Sequence, residues 1–139
     1  MDIEKSVKND NMCFACGKDN EISLGLDFKF IDEESKIVEA EFVPKEVHQG
    51  YKNIMHGGLI STLLDESMAK VVYMNGIEAV TAKMSTRFKK PVKIGTNLVI
   101  RGILKENHGK LLLTEANLKD KEGNIFATAE AKFMKVKMK

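Results

Sequence analysis

Apolar and polar residues alternate in six stretches of the chain, and one stretch among them keeps a different period. Leu24, Leu26, Phe28 and Phe30 share one parity, with Ser23, Asp27 and Lys29 on the other, which predicts a strand. Asp32-Glu33-Glu34-Ser35 breaks it. Val38, Ala40 and Phe42 then alternate with Glu39 and Glu41, a second strand that Pro44 ends and that pairs with the first as a hairpin. Later, Val80, Ala82, Met84 and Phe88 alternate with Thr81, Lys83, Ser85 and Arg87, up to a break at Pro91 and Gly95. Leu98, Ile100, Gly102 and Leu104 form the inner face of the next strand, and Leu112, Thr114, Ala116 and Leu118 that of the one after. The last strand places Ile125, Ala127, Ala129, Ala131 and Phe133 on one side. Asn107-His108-Gly109-Lys110 and Asp120-Lys121-Glu122-Gly123-Asn124 read as the turns between these strands. The small alanines of the last strand predict that a helix approaches the sheet there.

From Gly57-Gly58 to Asn75-Gly76 the period becomes helical. Leu59, Ile60, Leu63, Leu64, Met68, Ala69, Val71 and Val72 cover more than half of the circumference, which predicts a helix buried on most sides. At about 19 residues it is about 28 Å long. Two strands, a long helix and four strands joined by tight turns predict an α+β fold: one long central helix wrapped by a curved antiparallel sheet of five to six strands. The loop over 44–56 is longer than a simple connection requires, which marks it as functional.

A chain of 139 residues suits one domain. Residues 1–12 are polar and aperiodic and read as a flexible N-terminal arm; residues 13–139 form the domain, with no repeat or linker. Lys and Arg number 22 against 20 Asp and Glu, so no global field gathers nucleic acid. Tryptophan is absent, which leaves base stacking poorly supplied. No apolar run approaches the roughly 18 residues that span a bilayer, so no membrane partner is expected. The opening Met1-Asp2-Ile3-Glu4-Lys5 lacks the basic-then-apolar order of an export signal, and a cytoplasmic location is the expectation.

The chemistry concentrates at His56-Gly57-Gly58 and in the helix that follows. Two glycines opening a helix leave backbone N–H groups uncovered, and with the helix dipole these suit a carbonyl oxygen gaining negative charge. Asp65 lies two turns further on, about 12 Å along the axis and roughly 80° around it. A carboxylate inside an apolar helix is costly if unpaired, so Asp65 is a candidate catalytic group. Read blandly, Asp65 and Glu66 simply emerge on the solvent side of the helix.

His56-Gly57-Gly58 followed by Leu63-Leu64-Asp65-Glu66 resembles the motif of the hotdog-fold acyl-CoA thioesterases, in the branch of the phenylacetate-pathway and 4-hydroxybenzoyl-CoA thioesterases. Cys13-Phe14-Ala15-Cys16-Gly17, Asn20 and Gly25-Leu26 are similar to the N-terminal motif of one bacterial subgroup. Thr81 through Phe88, with Pro91 and Gly95, is similar to the family's strand after the helix. The resemblance runs from about Cys13 to Phe133. It implies a hotdog fold and hydrolysis of an acyl-CoA thioester to a carboxylic acid and coenzyme A, with no cofactor.

By the same resemblance, Asp65 is the nucleophile or general base. The Gly57 N–H, aided by Gly58, polarises the carbonyl. His56 fixes the loop, with direct proton transfer the lesser alternative. The family's upstream amide aligns with Gly50 here, so Gln49 takes that role, with Asn53 nearby. Thr81 supplies a hydroxyl that orients water, from a neighbouring subunit. Arg87, Lys89 and Lys90 meet the phosphates of coenzyme A, against the plainer reading of solvated strand charges. The resemblance also implies a homodimer with interfacial active sites, often paired again into a homotetramer.

Cys13 and Cys16 form a single CxxC with no further ligands at usual zinc spacing and no βαβ context for redox work, so no metal is expected and the pair reads as structural or incidental. His108 belongs to a turn. Two competing functions stand beside hydrolysis. A hotdog dehydratase or hydratase would need an aspartate five positions before a histidine, which the chain lacks. A non-catalytic acyl-CoA binding module would have no use for Asp65 and the glycine pair.

Overall fold

A computed structural model describes residues 11–136. Residues 1–10 of the expected arm lie outside the described residues; Asn11 and Met12 stand in a turn. Six strands, β1 (Lys29–Phe30), β2 (Ile37–Phe42), β3 (Ala79–Phe88), β4 (Leu98–His108), β5 (Leu111–Asp120) and β6 (Ile125–Lys135), form one antiparallel sheet in the order β1-β2-β4-β5-β6-β3. A single long helix, α1 (Gly57–Tyr73), packs on one face, and a turn of 3-10 helix at Glu46–His48 precedes it. The sequence expectation of one helix against a sheet of five to six strands holds.

The inner faces of β4, β5 and β6 are those expected. Leu98, Ile100, Leu112, Leu118, Ala127 and Phe133 are buried against Leu63, Leu64, Met68 and Val71 of α1. Ile125 is an exception. The register shifts between Leu118 and Lys119, and the chain leaves Ile125 39% exposed rather than in line with the alanines. Helix and sheet approach closely at Gly102 of β4, where a Cβ would stand 2.1 Å from the Ser67 carbonyl oxygen. Glycine inside a strand marks such an approach, and the alanines Ala127, Ala129 and Ala131 of β6 are buried in the same core.

Two further differences have physical causes. Leu24, Leu26 and Phe28 alternate into the core as expected, yet only Lys29 and Phe30 pair with β2. Upstream, the Leu24 and Leu26 N–H groups bond the carbonyls of Phe14 and Ala15, so this extended segment pairs with the CxxC loop instead. Alternation reports burial, not partner. The buried residues of α1 form one stripe, Ile60, Leu63, Leu64, Ser67, Met68, Val71 and Val72. Leu59 and Ala69 beside that stripe are half-buried, and no residue from Leu59 to Val72 is exposed, so the helix is covered on most sides as expected.

Second, β3 carries a bulge. Thr81 stands opposite Phe133, but Lys83 stands opposite Lys132, leaving Ala82 as the extra residue. Thr81, Met84, Thr86 and Phe88 therefore share the face of Phe133, Ala131, Ala129 and Ala127, which are buried. The plain alternation assigned Thr81 to the outer face; the bulge turns it toward α1. β3 is also an edge, bonded to β6 alone.

Candidate functional site

The loop before α1 is tied at several points. The His56 N–H donates to the His48 carbonyl, the Met55 N–H to Val92, and the Ile94 N–H to Asn53. Asn53 adopts φ 65°, and the Gln49 side-chain oxygen accepts from its N–H at 3.0 Å. Gln49 and Asn53 thus shape a turn, each with its side chain exposed. At Gly50 a Cβ would meet His56 Cα at 3.2 Å and its ring at 3.3 Å. An amide side chain at that position would press on the His56 ring, so its absence here has a steric counterpart.

His56 is the N-cap of α1. Its extended backbone turns the chain into the helix, and its Nδ1 accepts from the Gly58 N–H at 2.8 Å. The Leu59 and Ile60 N–H groups bond the His56 carbonyl. The Gly58 N–H is therefore occupied within the chain. The Gly57 N–H has no partner among the described residues. Gly57 lies beside Phe88, whose ring edge would be 3.7 Å from a Cβ there. His56 thus ties the loop to the start of α1 through its cap and main-chain bonds.

Asp65 is half-buried on α1, at the margin of its apolar stripe. The Thr81 hydroxyl, turned inward by the bulge, donates to Asp65 Oδ1 at 3.5 Å within the same chain. This in-chain contact takes the place of the expected reach from a neighbouring subunit. Burial pushes the Asp65 carboxyl above the ordinary carboxylate range. The Glu66 charge pushes the same way, and the Thr81 hydrogen bond opposes both. A carboxylate so placed is a stronger base than a solvated one. Glu66 is not on a solvent face either: the Cys13 thiol donates to its Oε2 at 3.7 Å.

Arg87, Lys89 and Lys90 are exposed. Arg87 and Lys89 line a shallow depression of about 470 Å³ with Glu115, Asn117 and Glu130 on the face of the sheet turned away from α1. One chain does not bring them to Asp65. The Lys89 and Lys90 N–H groups bond the Phe126 carbonyl and continue β3 beyond Phe88. Two features at the site escape a reading by parity alone: the inward turn of Thr81 and the seating of Glu66 on the CxxC. For the first, the signal present was Thr81's position after a helix-borne aspartate; for the second there was none in local spacing.

The mouse acyl-coenzyme A thioesterase THEM4 is 27% identical over 89 residues, which is 63% of this chain and 38% of that protein. The chain thus spans about two fifths of that relative's length. A thioesterase superfamily protein, RHA08564, superposes with a TM-score of 0.83 at 21% identity, over 89% of this chain and 60% of that one. A Streptococcus pneumoniae thioesterase solved with coenzyme A superposes with a TM-score of 0.74 at 19% identity, over 82% and 90% of the two chains. Alanine variants of that protein replace an aspartate and a threonine sixteen positions apart, the separation of Asp65 and Thr81. These likenesses establish the hotdog fold. No helix among the described residues is long and apolar enough to cross a membrane. The pattern of the thioesterase superfamily matches residues 52–127, more than half of the sequence and a span that includes Gly57, Asp65 and Thr81, and this chain belongs to that superfamily.

Proposed function

We propose that this chain hydrolyses an acyl-CoA thioester to the free carboxylic acid and coenzyme A. The observation that carries the reading is Asp65, half-buried on α1, with the Thr81 hydroxyl on Oδ1 and its acidity weakened by burial. With Oδ1 held, Oδ2 is left for the reaction. As base, Asp65 takes a proton from water while the water oxygen attacks the thioester carbon; as nucleophile, it attacks that carbon itself and forms a mixed anhydride, which water then hydrolyses to the free acid, regenerating the carboxylate. In either case the carbon–sulfur bond breaks and coenzyme A leaves as thiolate, which is then protonated.

A polarised carbonyl needs a donor at hydrogen-bond distance while the attacking atom is about 3–3.5 Å from its carbon. Gly57 and Asp65 of one chain are about 12 Å apart along the helix. The N–H serving a carbonyl at Asp65 therefore belongs to a second copy, and the site is interfacial. The exposed edge of β3 supports the same reading, since a ten-residue edge strand offers main-chain groups to a second copy. Arg87, Lys89 and Lys90 continue from the Phe88 end of β3 beside Gly57, so the charges for the coenzyme A phosphates come from the copy that supplies the N–H.

The test is thiol release from short, medium, long-chain and aryl CoA thioesters by wild-type and Asp65→Asn protein. Turnover that falls at least about 10²-fold in the folded variant supports the reading. Binding of the thioesters without turnover in the wild type, or near-normal turnover in the variant, overturns it.

A further inference from the structure

Cys13, Cys16 and Glu66 come from two separate parts of the chain, and their donor atoms all lie within 4.8 Å of one another. The cysteines sit three residues apart in the loop that pairs with Leu24 and Leu26; Glu66 stands on α1 one residue beyond Asp65. We propose that these three side chains bind a zinc ion, with the fourth position open to water, and that the ion fastens the N-terminal loop to α1. The expectation of no metal rested on the lack of further ligands at usual spacing. Glu66 is fifty residues from Cys16, and the fold supplies it.

The distances fit. Zinc takes thiolate sulfur at about 2.3 Å and carboxylate oxygen at about 2.1 Å in a tetrahedron, so a sulfur and an oxygen of one site stand about 3.6 Å apart. Cys13 Sγ and Glu66 Oε2 are 3.7 Å apart. The loop is built tightly around its cysteines. The Gly17 N–H bonds the Cys13 carbonyl at 2.7 Å, and a Cβ at Gly17 would fall 2.5 Å from the Asn11 carbonyl oxygen and the Cys13 nitrogen. Only glycine fits there. Asp19 N–H to Asn11 and the Asn20 amide to Met12 close the loop behind it.

Binding a soft divalent ion balances: each thiol gives its proton to solvent, two sulfur–metal bonds form, and Glu66 adds its charge. No electron transfer is involved.

The experiment is a cobalt(II) and zinc(II) titration of reduced wild-type protein. One equivalent of cobalt per chain, with a thiolate-to-cobalt charge-transfer band and the intense visible bands of a tetrahedral ion, is expected. Zinc should displace it. Zinc at about a hundredfold its dissociation constant should raise the Tm by about 9 °C. The Cys13→Ser/Cys16→Ser variant should lose the band, and Glu66→Gln should bind at least about tenfold more weakly. Should the double variant fail to fold, iodoacetamide labelling of wild-type thiols decides: protection by zinc supports the site, and equal labelling with and without zinc overturns it. Absence of the charge-transfer band in reduced protein, or stoichiometric zinc retained by the folded double variant, also overturns it.

Discussion

Gly57→Pro removes one hydrogen-bond donor and almost nothing else. Gly57 is the first helical residue of α1, a position where proline's fixed φ suits the helix and where no intrahelical bond uses the N–H. His56 precedes it at ψ 131°, the extended conformation that a following proline demands. The nearest atom to an added Cβ is the Phe88 ring edge at 3.7 Å, an ordinary contact. Stability should thus stay level or rise by about 0.4–1 kcal/mol through restriction of the unfolded chain. Catalysis should fall by about 10²–10³ in kcat, the usual loss of one donor to a developing oxyanion. The assay adds a mixing arm. Subunit exchange between Gly57→Pro and Asp65→Asn proteins makes dimers with one site carrying both defects and one carrying neither. Activity should climb toward about half of wild type per mixed dimer, provided the two sites act independently. Mixing that restores nothing after demonstrated exchange would place both residues at one in-chain site and refute the interfacial argument. A folded Gly57→Pro protein with normal kcat would remove the N–H from the mechanism.

Three other outcomes are expected. Gly102→Ala sets a Cβ 2.1 Å from the Ser67 carbonyl oxygen, about 1.3 Å inside ordinary contact, and since both neighbours are main chain the helix must shift. A cost of about 3 kcal/mol, or about 10 °C in Tm by calorimetry, follows, and Ser67→Gly should not relieve it. His56→Ala leaves the Gly58 N–H without its acceptor, so the Tm should drop by roughly 3 °C; a loss of kcat beyond about 10³-fold would instead assign His56 a proton-transfer role. Because the folded-state pKa of Asp65 is raised, ionised Asp65 costs stability that is absent below the ordinary 3.8, grows as pH climbs from there, and is fully present above the raised pKa. Activity should accordingly rise with pH along a limb centred above the ordinary 3.8, and Glu66→Gln in chelator-treated protein should move that limb down; a limb that moves up would contradict the assigned cause.

The sequence disclosed the architecture because its signals are periodic. Leu98, Ile100, Leu112 and Leu118 alternate, Ile60, Leu63, Leu64 and Met68 follow the helix, and the motif at His56 and Asp65 sits where those two patterns meet. Parity failed where the backbone inserts a residue. The bulge at Ala82 reverses the face of everything before it, and no residue in 79–83 announces it. Long-range pairing was equally hidden: nothing near Cys13 or near Glu66 refers to the other, and Leu24 and Leu26 look like sheet residues while bonding the loop. The glycines carry long-range information as well. Gly102 reports the helix crossing, and Gly58 reports crowding by the cap.

The order of the strands sets when the site can exist during synthesis. β2 enters α1 and β3 leaves it, yet three strands made later stand between them in the sheet. Thr81 finds its cross-strand neighbour in Phe133, fifty-two residues downstream. Until β6 emerges, α1 and Asp65 are present but β3 has no strand to bond and Thr81 nothing to hold it against the helix. The contact that tunes Asp65 is therefore among the last to close, and its formation waits on a long-range search rather than on local helix growth. A chain stopped before Ile125 would carry nearly every residue of the motif and none of the chemistry.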